Sequence, residues 1–364
     1  MKVIRNITKN IVFVINILVA IMFLLSSAAI YVSPEFSIVP AYFGLAFPYL
    51  ALANVGFAFF WFWQLKSQFL LSTIVAFAGF GQYFNIVQLS FEKQKDTEKN
   101  LHILSHNLRA FGLNGPKFET STGRKIFKFY RDHKADIFCF QEFFDTQNND
   151  FAPLDSMQKM MKTEYEYIKY SVHFRGNKFG LATFSRYPIV DTGTVNMPCQ
   201  GTNMCIYSDI KIGTLVYRVY NMHLASIHFK EEEYKYIETI AEQTNEGHVK
   251  GATNLMSKLS NAFEKRAIQA EIIAKHISKS PYPVVICGDF NDMPYSYTYG
   301  VLAKNKVDAF QYKGNGFGAT YNGKIPNLRI DYILLPENTD VFKFKIFKED
   351  LSDHYPQMAT VRFK

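Results

Sequence analysis

The sequence predicts an α/β or α+β sandwich, with packed sheets and helices on the outside, that follows a membrane-spanning helical region. Two observations support this. The 364 residues include 40 Lys and Arg and 32 Asp and Glu, yet only five of these charged residues precede Phe91. The remainder is about a quarter charged, as in a globular domain. It mixes short apolar runs between turn residues with a few helical patterns, which is typical of strands and helices in one domain.

The apolar first quarter has three intervals without a charged residue, at 10–34, 36–65 and 67–91. Each exceeds the length of about 20 residues that a helix needs to cross a bilayer. We therefore predict that residues 1–91 form three transmembrane helices, near 11–31, 38–61 and 69–89. A cleaved signal peptide is an alternative for the first interval only, because basic residues precede it and small residues end it.

The basic residues beside these spans indicate the orientation. Lys2, Arg5 and Lys9 favour a cytoplasmic N-terminus, so that three spans place the C-terminal domain outside the cytoplasm. Lysines in the polar segment that follows the third span favour the opposite orientation, but more weakly. The expected localisation is therefore a multi-pass membrane protein with an extracytoplasmic domain.

Residues 92–100 read as a polar linker, and residues 101–364 as one domain. Helical patterns occupy 123–133, 254–278 and 296–303. The predicted strands are short apolar runs bounded by turn residues, at 101–106, 136–141, 165–172, 181–185, 205–212, 214–223, 284–288, 329–335, 341–348 and 357–362.

The composition excludes several other classes. With 20 Gly, 4 Cys and many large apolar residues, the chain is not collagen-like, disordered or built on a disulfide framework. Cys199 and Cys205 flank a short loop, and they either form a disulfide in an oxidising compartment or remain two free thiols. Cys139 and Cys287 lie in apolar runs and are expected in the core.

Acidic, amide and imidazole side chains recur at the ends of the predicted strands, where they would share one rim of a sheet. Any one of them alone is more often a turn residue than a functional one. Oxygen ligands such as Asn107, Glu142 and Asp353, with no cysteine nearby, suit magnesium or manganese better than zinc. The full set of candidates is Asn107, Glu142, His223, Asp289, Asn291, Asp331, Asp353 and His354.

Seven segments, taken in order, resemble the motifs of the endonuclease/exonuclease/phosphatase superfamily, which has the deoxyribonuclease I-like fold. They are SHNLRAFG (105–112), DIFCFQE (136–142), GLATFSRYPI (180–189), YNMHL (220–224), CGDFNDMP (287–294), LRIDYILL (328–335) and LSDHYPQ (351–357). The resemblance covers residues 101–364. It implies a four-layer sandwich of two mixed β-sheets flanked by helices, with the site at the rim where the motifs meet.

The resemblance also implies a metal-dependent hydrolase of phosphate esters. Glu142 would be the principal ligand of Mg²⁺, with Mn²⁺ as an alternative ion. Asn107 and Asp353 would assist it directly or through water.

The remaining motif residues would carry the catalytic steps and hold the substrate. Asp289 and Asn291 would orient the attacking water and bind the phosphoryl group. His354 and Asp331 match the imidazole/carboxylate dyad of the family. His223 matches a second histidine, present in the deoxyribonuclease and sphingomyelinase branches, and would also contact substrate.

The substrate is less defined, because the family includes nucleases, phosphoinositide phosphatases, sphingomyelinases and deadenylases. The segment 328–332 departs from the pattern of the inositol polyphosphate phosphatases. The chain carries a net charge of +8, of which the first 91 residues contribute +3, and the remaining +5 suits anionic lipid or nucleic acid.

Tethering to the membrane is more informative about the substrate, because the ten residues 91–100 reach at most about 35 Å. The membrane bilayer is thus an expected partner, a phospholipid headgroup the favoured substrate, and nucleic acid the second. A membrane scaffold without catalytic activity is an alternative of another class. The presence of every catalytic motif residue disfavours it.

Overall fold

The computed structural model describes residues 2–90, 100–112, 120–146, 153–199, 201–227, 246–325 and 327–364. Nearly all of the expected linker therefore lies outside the described residues. Five helices form the first part of the chain: α1 (Lys2–Ala28), α2 (Val39–Leu45), α3 (Phe47–Trp63), α4 (Phe69–Ala78) and α5 (Phe80–Tyr83).

These helices correct the bounds expected for the three spans. Within α1, residues Ile7–Ala28 form an apolar helix long enough to cross a membrane. The expected span 38–61 is divided between α2 and α3, which are bent by 76° to each other. The expected span 69–89 is also broken, because α4 ends at Ala78, and its ten residues cover only about 15 Å of the ~30 Å hydrocarbon core. By length and composition, the described helices thus provide one candidate span, or two if the bent pair counts as one.

Buried polar side chains connect these apolar helices. The side chain of Asn16 in α1 donates from Nδ2 to Oγ of Ser72 in α4, at 2.7 Å. Its Oδ1 accepts from Nε1 of Trp61 in α3, at 2.9 Å. Asn54 in α3 donates to the backbone oxygen of Ser72 at 2.9 Å. Because polar groups in an apolar medium need partners, these bonds specify how the three helices pack.

The second part of the chain forms two six-stranded sheets. Sheet A has the order β11-β12-β1-β2-β4-β3, and sheet B has the order β5-β6-β7-β8-β10-β9. The pairs β1/β2 and β7/β8 are parallel and the other pairs are antiparallel, so both sheets are mixed, as expected. The strands are β1 (Leu101–Asn107), β2 (Ile137–Thr146), β3 (Tyr165–Phe174), β4 (Asn177–Ser185), β5 (Ile189–Thr194), β6 (Met204–Ile212), β7 (Leu215–His223), β8 (Val284–Asp289), β9 (Lys306–Asp308), β10 (Asp331–Pro336), β11 (Thr339–Ile346) and β12 (Gln357–Phe363).

Helices cover the outer face of each sheet. The helices α6 (Thr120–Asp132) and α7 (Pro153–Met161) pack on sheet A through an aromatic core. The helices α8 (Glu246–Ile277) and α9 (Tyr297–Leu302) pack on sheet B. A short helix, α10 (Ala309–Lys313), adds Phe310 to the apolar layer between the sheets. The domain is therefore the expected four-layer sandwich.

The cysteines contribute to this core or lie beside it. Cys139 and Cys287 are fully buried between the two sheets, which confirms the expectation for both. Cys205 is buried and Cys199 is exposed, and the structure has both as free thiols. Of the two alternatives for this pair, the structure thus has the unbonded one.

The apolar helices rest on the loop that follows β8. The ring of Phe47 in α3 stacks on Tyr295, with centroids 5.2 Å apart. Asn85 donates from Nδ2 to the backbone oxygen of Pro294 at 2.6 Å. The backbone of Ile30 approaches Gly300 in α9 so closely that a Cβ there would lie 2.6 Å from its oxygen. The first 90 residues are therefore packed against the segment that carries Asp289 and Asn291.

Candidate active site

The sheet topology brings the candidate residues to one rim of the sandwich. Asn107 and His223 are the last residues of β1 and β7, and Asp289 ends β8. Because β1/β2 and β7/β8 are parallel, the carboxyl ends of these strands meet at the same edge. Asp331 pairs with Asp289 at the start of the antiparallel β10. His354 shortly precedes β12, which is antiparallel to β1.

Glu142 occupies an irregular position in β2. The register between β2 and β4 shifts between Phe140 and Phe143, which is a β-bulge. Glu142 lies in this bulge with a φ of 47°, a left-handed conformation that is unusual for a residue with a side chain. Its side chain remains 24% exposed, and its Oε1 lies 3.7 Å from Nε2 of His223. The bulge therefore turns one carboxylate out of the buried strand and into the site.

Asp289 is the centre of the contacts. Its Oδ2 accepts a hydrogen bond from Nδ2 of Asn107 at 3.0 Å, and its Oδ1 accepts from the backbone N–H of Asn291 at 2.8 Å. Nε2 of His223 and Nε2 of His354 each lie 3.7 Å from Oδ2. This buried carboxylate thus faces two imidazoles and two hydrogen-bond donors from both sheets.

Opposing interactions act on the pKa of Asp289. Burial and the negative charge of Asp331 raise the pKa of Asp289 above its ordinary value of 3.8. The two histidines, His354 and His223, and the N–H of Asn291 oppose this shift. A carboxylate with a raised pKa is a better proton acceptor, which is useful for activating water.

Asp331 and His354 form a close pair. Nδ1 of His354 lies 2.9 Å from Oδ2 and 3.1 Å from Oδ1 of Asp331, and both side chains are nearly buried. Burial alone would lower the pKa of His354, but the charges of Asp331 and Asp289 raise it to about 10. The imidazole is therefore protonated at neutral pH, with Nε2 on the side of Asp289.

Asp353 has a different environment. Its Oδ2 lies 3.3 Å from Nη1 of Arg109, and its side chain is 20% exposed. Arg109 has a φ of 45° and opens a left-handed turn that begins two residues after the end of β1. No sequence motif assigned a role to Arg109, because its approach to Asp353 depends on this unusual turn.

One group of three acidic or imidazole residues in the described part of the chain has the spacing of a metal site. The ligand atoms of Asp289, Asp331 and His354 lie within 4.8 Å of one another. Neither Glu142 nor Asp353 belongs to such a group among the described residues. The carboxylates of Glu142 and Asp353, which are the expected metal ligands, thus lie outside the cluster that Asp289, Asp331 and His354 form.

Three further residues support the site, although no motif gave any of them a catalytic role. Buried His106 lies with Nε2 3.0 Å from the backbone oxygen of His354, and burial lowers the pKa of His106 to about 3. Oγ1 of Thr320 accepts from the backbone N–H of Asp331 at 3.1 Å, and Oγ1 of Thr202 lies 3.3 Å from Nδ1 of His223. Thr320 and Thr202 come from loops, so only the folded chain reveals these contacts.

A family model for the endonuclease/exonuclease/phosphatase family matches residues 104–354. The chain belongs to this family. The match spans more than half of the sequence and includes every candidate residue from Asn107 to His354. The family consists of hydrolases that act on phosphoester bonds, and its members generally use a divalent metal ion.

Solved structures share the fold of this family member at low sequence identity. An endonuclease/exonuclease/phosphatase from Beutenbergia cavernae is 15% identical, with a TM-score of 0.54 over 73% of this chain and 72% of that one. The human nocturnin catalytic domain with bound sulfate is 16% identical, with a TM-score of 0.51 over 74% and 97%. A mannosyl-6-phosphatase from Bacteroides thetaiotaomicron is 16% identical, with a TM-score of 0.50 over 72% and 100%.

The N-terminal part of this family member matches a separate model. Residues 9–86 match a domain of unknown function, which corresponds to the apolar helices. No curated protein matches the chain.

Proposed function

We propose that the protein is a membrane-anchored, magnesium-dependent phosphoesterase, in which water attacks a phosphodiester or phosphomonoester. The observation that carries this proposal is the set of contacts around Asp289. This one carboxylate accepts hydrogen bonds from Asn107 and Asn291 and faces the imidazoles of His223 and His354. Such an arrangement suits the activation of water beside an anionic phosphoryl group.

Glu142, Asn107 and Asp353 are the residues that would hold the metal ion. The donors fit Mg²⁺, with Mn²⁺ as the alternative, because all are oxygens and the carboxylate of Glu142 keeps an exposed fraction of 24%. Oδ1 of Asn107 already accepts the N–H of Arg109, which fixes the side chain while a second lone pair remains. When bound, the ion supplies positive charge that polarises the phosphoryl group and stabilises the charge that develops in the transition state.

Asp289 would accept the proton of the attacking water, and Asn291 would position the phosphoryl oxygens. Asn291 has a φ of 53°, and its Nδ2 donates to the backbone oxygen of Leu224 at 3.0 Å, which fixes the side chain. His223, 3.7 Å from both Glu142 and Asp289, would contact substrate from β7. These residues surround the carboxylate of Asp289, so that the attacking water and the phosphorus atom would lie next to each other beside it.

His354 would stabilise the transition state and protonate the leaving oxygen. Asp331 accepts from Nδ1 of His354, which fixes the tautomer and orientation of the ring. The protonated Nε2 can then donate to an anionic oxygen near Asp289. His106 and Thr320 hold the backbone of the two dyad residues and thus act as positioning residues.

The surface of the first 90 residues supports membrane anchoring. Of the 31 exposed large apolar side chains in the described part of the chain, 25 belong to this segment. A monomeric soluble protein rarely exposes so much contiguous apolar surface. We propose that Ile7–Ala28 crosses the membrane, that the bent pair of α2 and α3 enters it without crossing, and that the catalytic domain therefore lies outside the cytoplasm, as the basic N-terminus favours. The multi-pass anchor expected from the sequence would need three complete spans for the same orientation. The lipid bilayer is then a partner, and a phospholipid is the favoured substrate ahead of nucleic acid.

The test is the hydrolysis of bis(4-nitrophenyl) phosphate by the detergent-solubilised protein with and without Mg²⁺. We expect magnesium-dependent release of nitrophenol, lost in Glu142→Ala and retained in Glu166→Ala, a matched change of an exposed carboxylate on β3. A product screen against a phospholipid panel and single- and double-stranded DNA then orders the substrates. An inactive wild-type protein on all of these would favour a scaffold, and an active Glu142→Ala variant would refute the proposed metal ligand.

A further inference from the structure

A cavity of about 630 Å³ lies between the apolar helices and the catalytic domain. This volume is within the range of about 300–1,000 Å³ that ligand pockets have. Most of its lining is apolar. The charged residues in its wall are paired, since Nε of Arg266 lies 3.0 Å from Asp292 and Nη1 of Arg329 lies 2.7 Å from Asp308. A ligand in the cavity would therefore contact a mainly apolar surface, whose charged side chains already have partners of opposite charge.

Three of its walls continue directly from the candidate active site. Asn291 itself lines the cavity, together with the residues that follow it in the loop after β8. Ile227 lines it four residues after His223, and Ile330 lines it immediately before Asp331. A molecule whose phosphoryl group is beside Asp289 could therefore extend into the cavity without crossing another layer of the protein.

Two further walls come from α8, through Leu255 and Leu259, and from the apolar helices. Leu45 at the end of α2 and Pro48 and Tyr49 at the start of α3 line the cavity, at the point where these two helices bend by 76°. Broken helices are tolerated in a membrane where they line a cavity. The break between α2 and α3 therefore has a local structural role, because it forms one side of the cavity.

The entrance to the cavity is also apolar. Tyr49 and Phe317 line it and keep 77% and 63% of their surfaces exposed. Tyr49 belongs to the same helix as the exposed Leu52 and Phe59. A ligand that leaves the bilayer along the exposed apolar side chains of α3 would thus enter the cavity past Tyr49.

We propose that this cavity binds the hydrocarbon chain of a lipid phosphoester while the phosphoryl group occupies the site at Asp289. The proposal rests on the proposed function and names the substrate class of the same site. Continuity with Asn291, an apolar lining and a wall built from membrane-type helices all match a hydrocarbon chain. A nucleotide or a sugar would leave these surfaces in contact with polar groups.

The test measures binding rather than turnover. Alkylphosphonates with two, four and six carbons are titrated calorimetrically into the full-length protein in detergent with Mg²⁺. Each buried methylene contributes about 0.8 kcal/mol, so we expect Kd to fall about fourfold per methylene in the wild type. Leu259→Trp fills the cavity from α8 and should remove this dependence, and Leu255→Trp serves if the first variant does not fold. Leu52→Trp is the matched control, because Leu52 is 73% exposed on α3 and is not part of the lining.

The outcomes are distinct. A chain-length dependence in the wild type and in Leu52→Trp, lost when the cavity is filled, supports the proposal. No dependence in the wild type, or the same dependence with the cavity filled, overturns it. Chain-dependent binding without hydrolysis of bis(4-nitrophenyl) phosphate would refute the proposed reaction but keep the lipid site. Hydrolysis without chain-dependent binding would refute the lipid site alone.

Discussion

Nδ2 of Asn107 donates a 3.0 Å hydrogen bond to Oδ2 of Asp289, and this contact joins the two sheets of the sandwich. Asn107 ends β1 in sheet A, and Asp289 ends β8 in sheet B. Since a phosphoesterase site needs groups from both strands within a few ångströms, the packing of the sheets controls the geometry of the site.

The first prediction concerns the pH dependence of catalysis. The pKa of His354 is raised to about 10, so the imidazolium persists through neutral pH and is lost only above that value. We expect kcat/KM to decline on the alkaline side near pH 10. Asp331→Asn removes the first of the charges that raise this pKa, so the decline should move towards pH 6.5, and kcat should fall about 10²–10⁴-fold. An unchanged pH profile in a folded Asp331→Asn protein would contradict the dyad.

The second concerns the close approach of β7 and β8. A Cβ at Gly288 would lie 2.1 Å from the backbone oxygen of Met222, and the φ of Gly288 is 154°. Gly288→Ala should therefore push these strands apart, lower the free energy of unfolding by about 1–3 kcal/mol and displace Asp289. Gly81→Ala is the control, because its Cβ would contact nothing within 4 Å. Thermal unfolding in detergent measures both, and equal midpoints for Gly288→Ala and the wild type would refute this steric argument.

The third concerns a buried amide between the sheets. Asn221 in β7 donates from Nδ2 to the backbone oxygens of Phe140 and Ala182, and its Oδ1 accepts from Nε2 of Gln141 at 2.7 Å. Asn221→Leu would leave these partners without their bonds in a dry interior. We expect a loss of about 2–4 kcal/mol in the free energy of unfolding. The exposed Asn338→Leu should be nearly neutral by the same denaturation, and a similar loss in both variants would exclude a specific role for Asn221.

Much of the catalytic fold could be predicted from the sequence, because its strands are apolar runs between turn residues. The two strands that were missed lack this signal. The strand β5 has no fully buried residue and no regular alternation of burial, and β9 has only three residues. The broken spans were also not predictable from hydropathy. Gly79 follows the end of α4, and Pro48 in the first turn of α3 has no backbone N–H to donate to the preceding turn, which accounts for the bend near Ala46.

The candidate residues were found through the motifs, whereas their geometry needed the fold. The sequence indicates that Glu142 follows an apolar run, but not that a bulge and a left-handed φ turn it outwards. It also does not indicate that Arg109 would pair with Asp353, or that His106 would hold the backbone of His354. These contacts connect residues far apart in the chain, and a single sequence carries no local signal for them.

The most direct test of the phosphoesterase assignment is the magnesium-dependent rate of bis(4-nitrophenyl) phosphate hydrolysis by the wild type and His354→Gln. His173→Gln is the matched control, since His173 is exposed on β3. We expect His354→Gln to lose at least about 100-fold in kcat and His173→Gln to retain the wild-type rate. A rate in His354→Gln equal to that of the wild type, or hydrolysis that persists without a divalent metal, would contradict the proposed site.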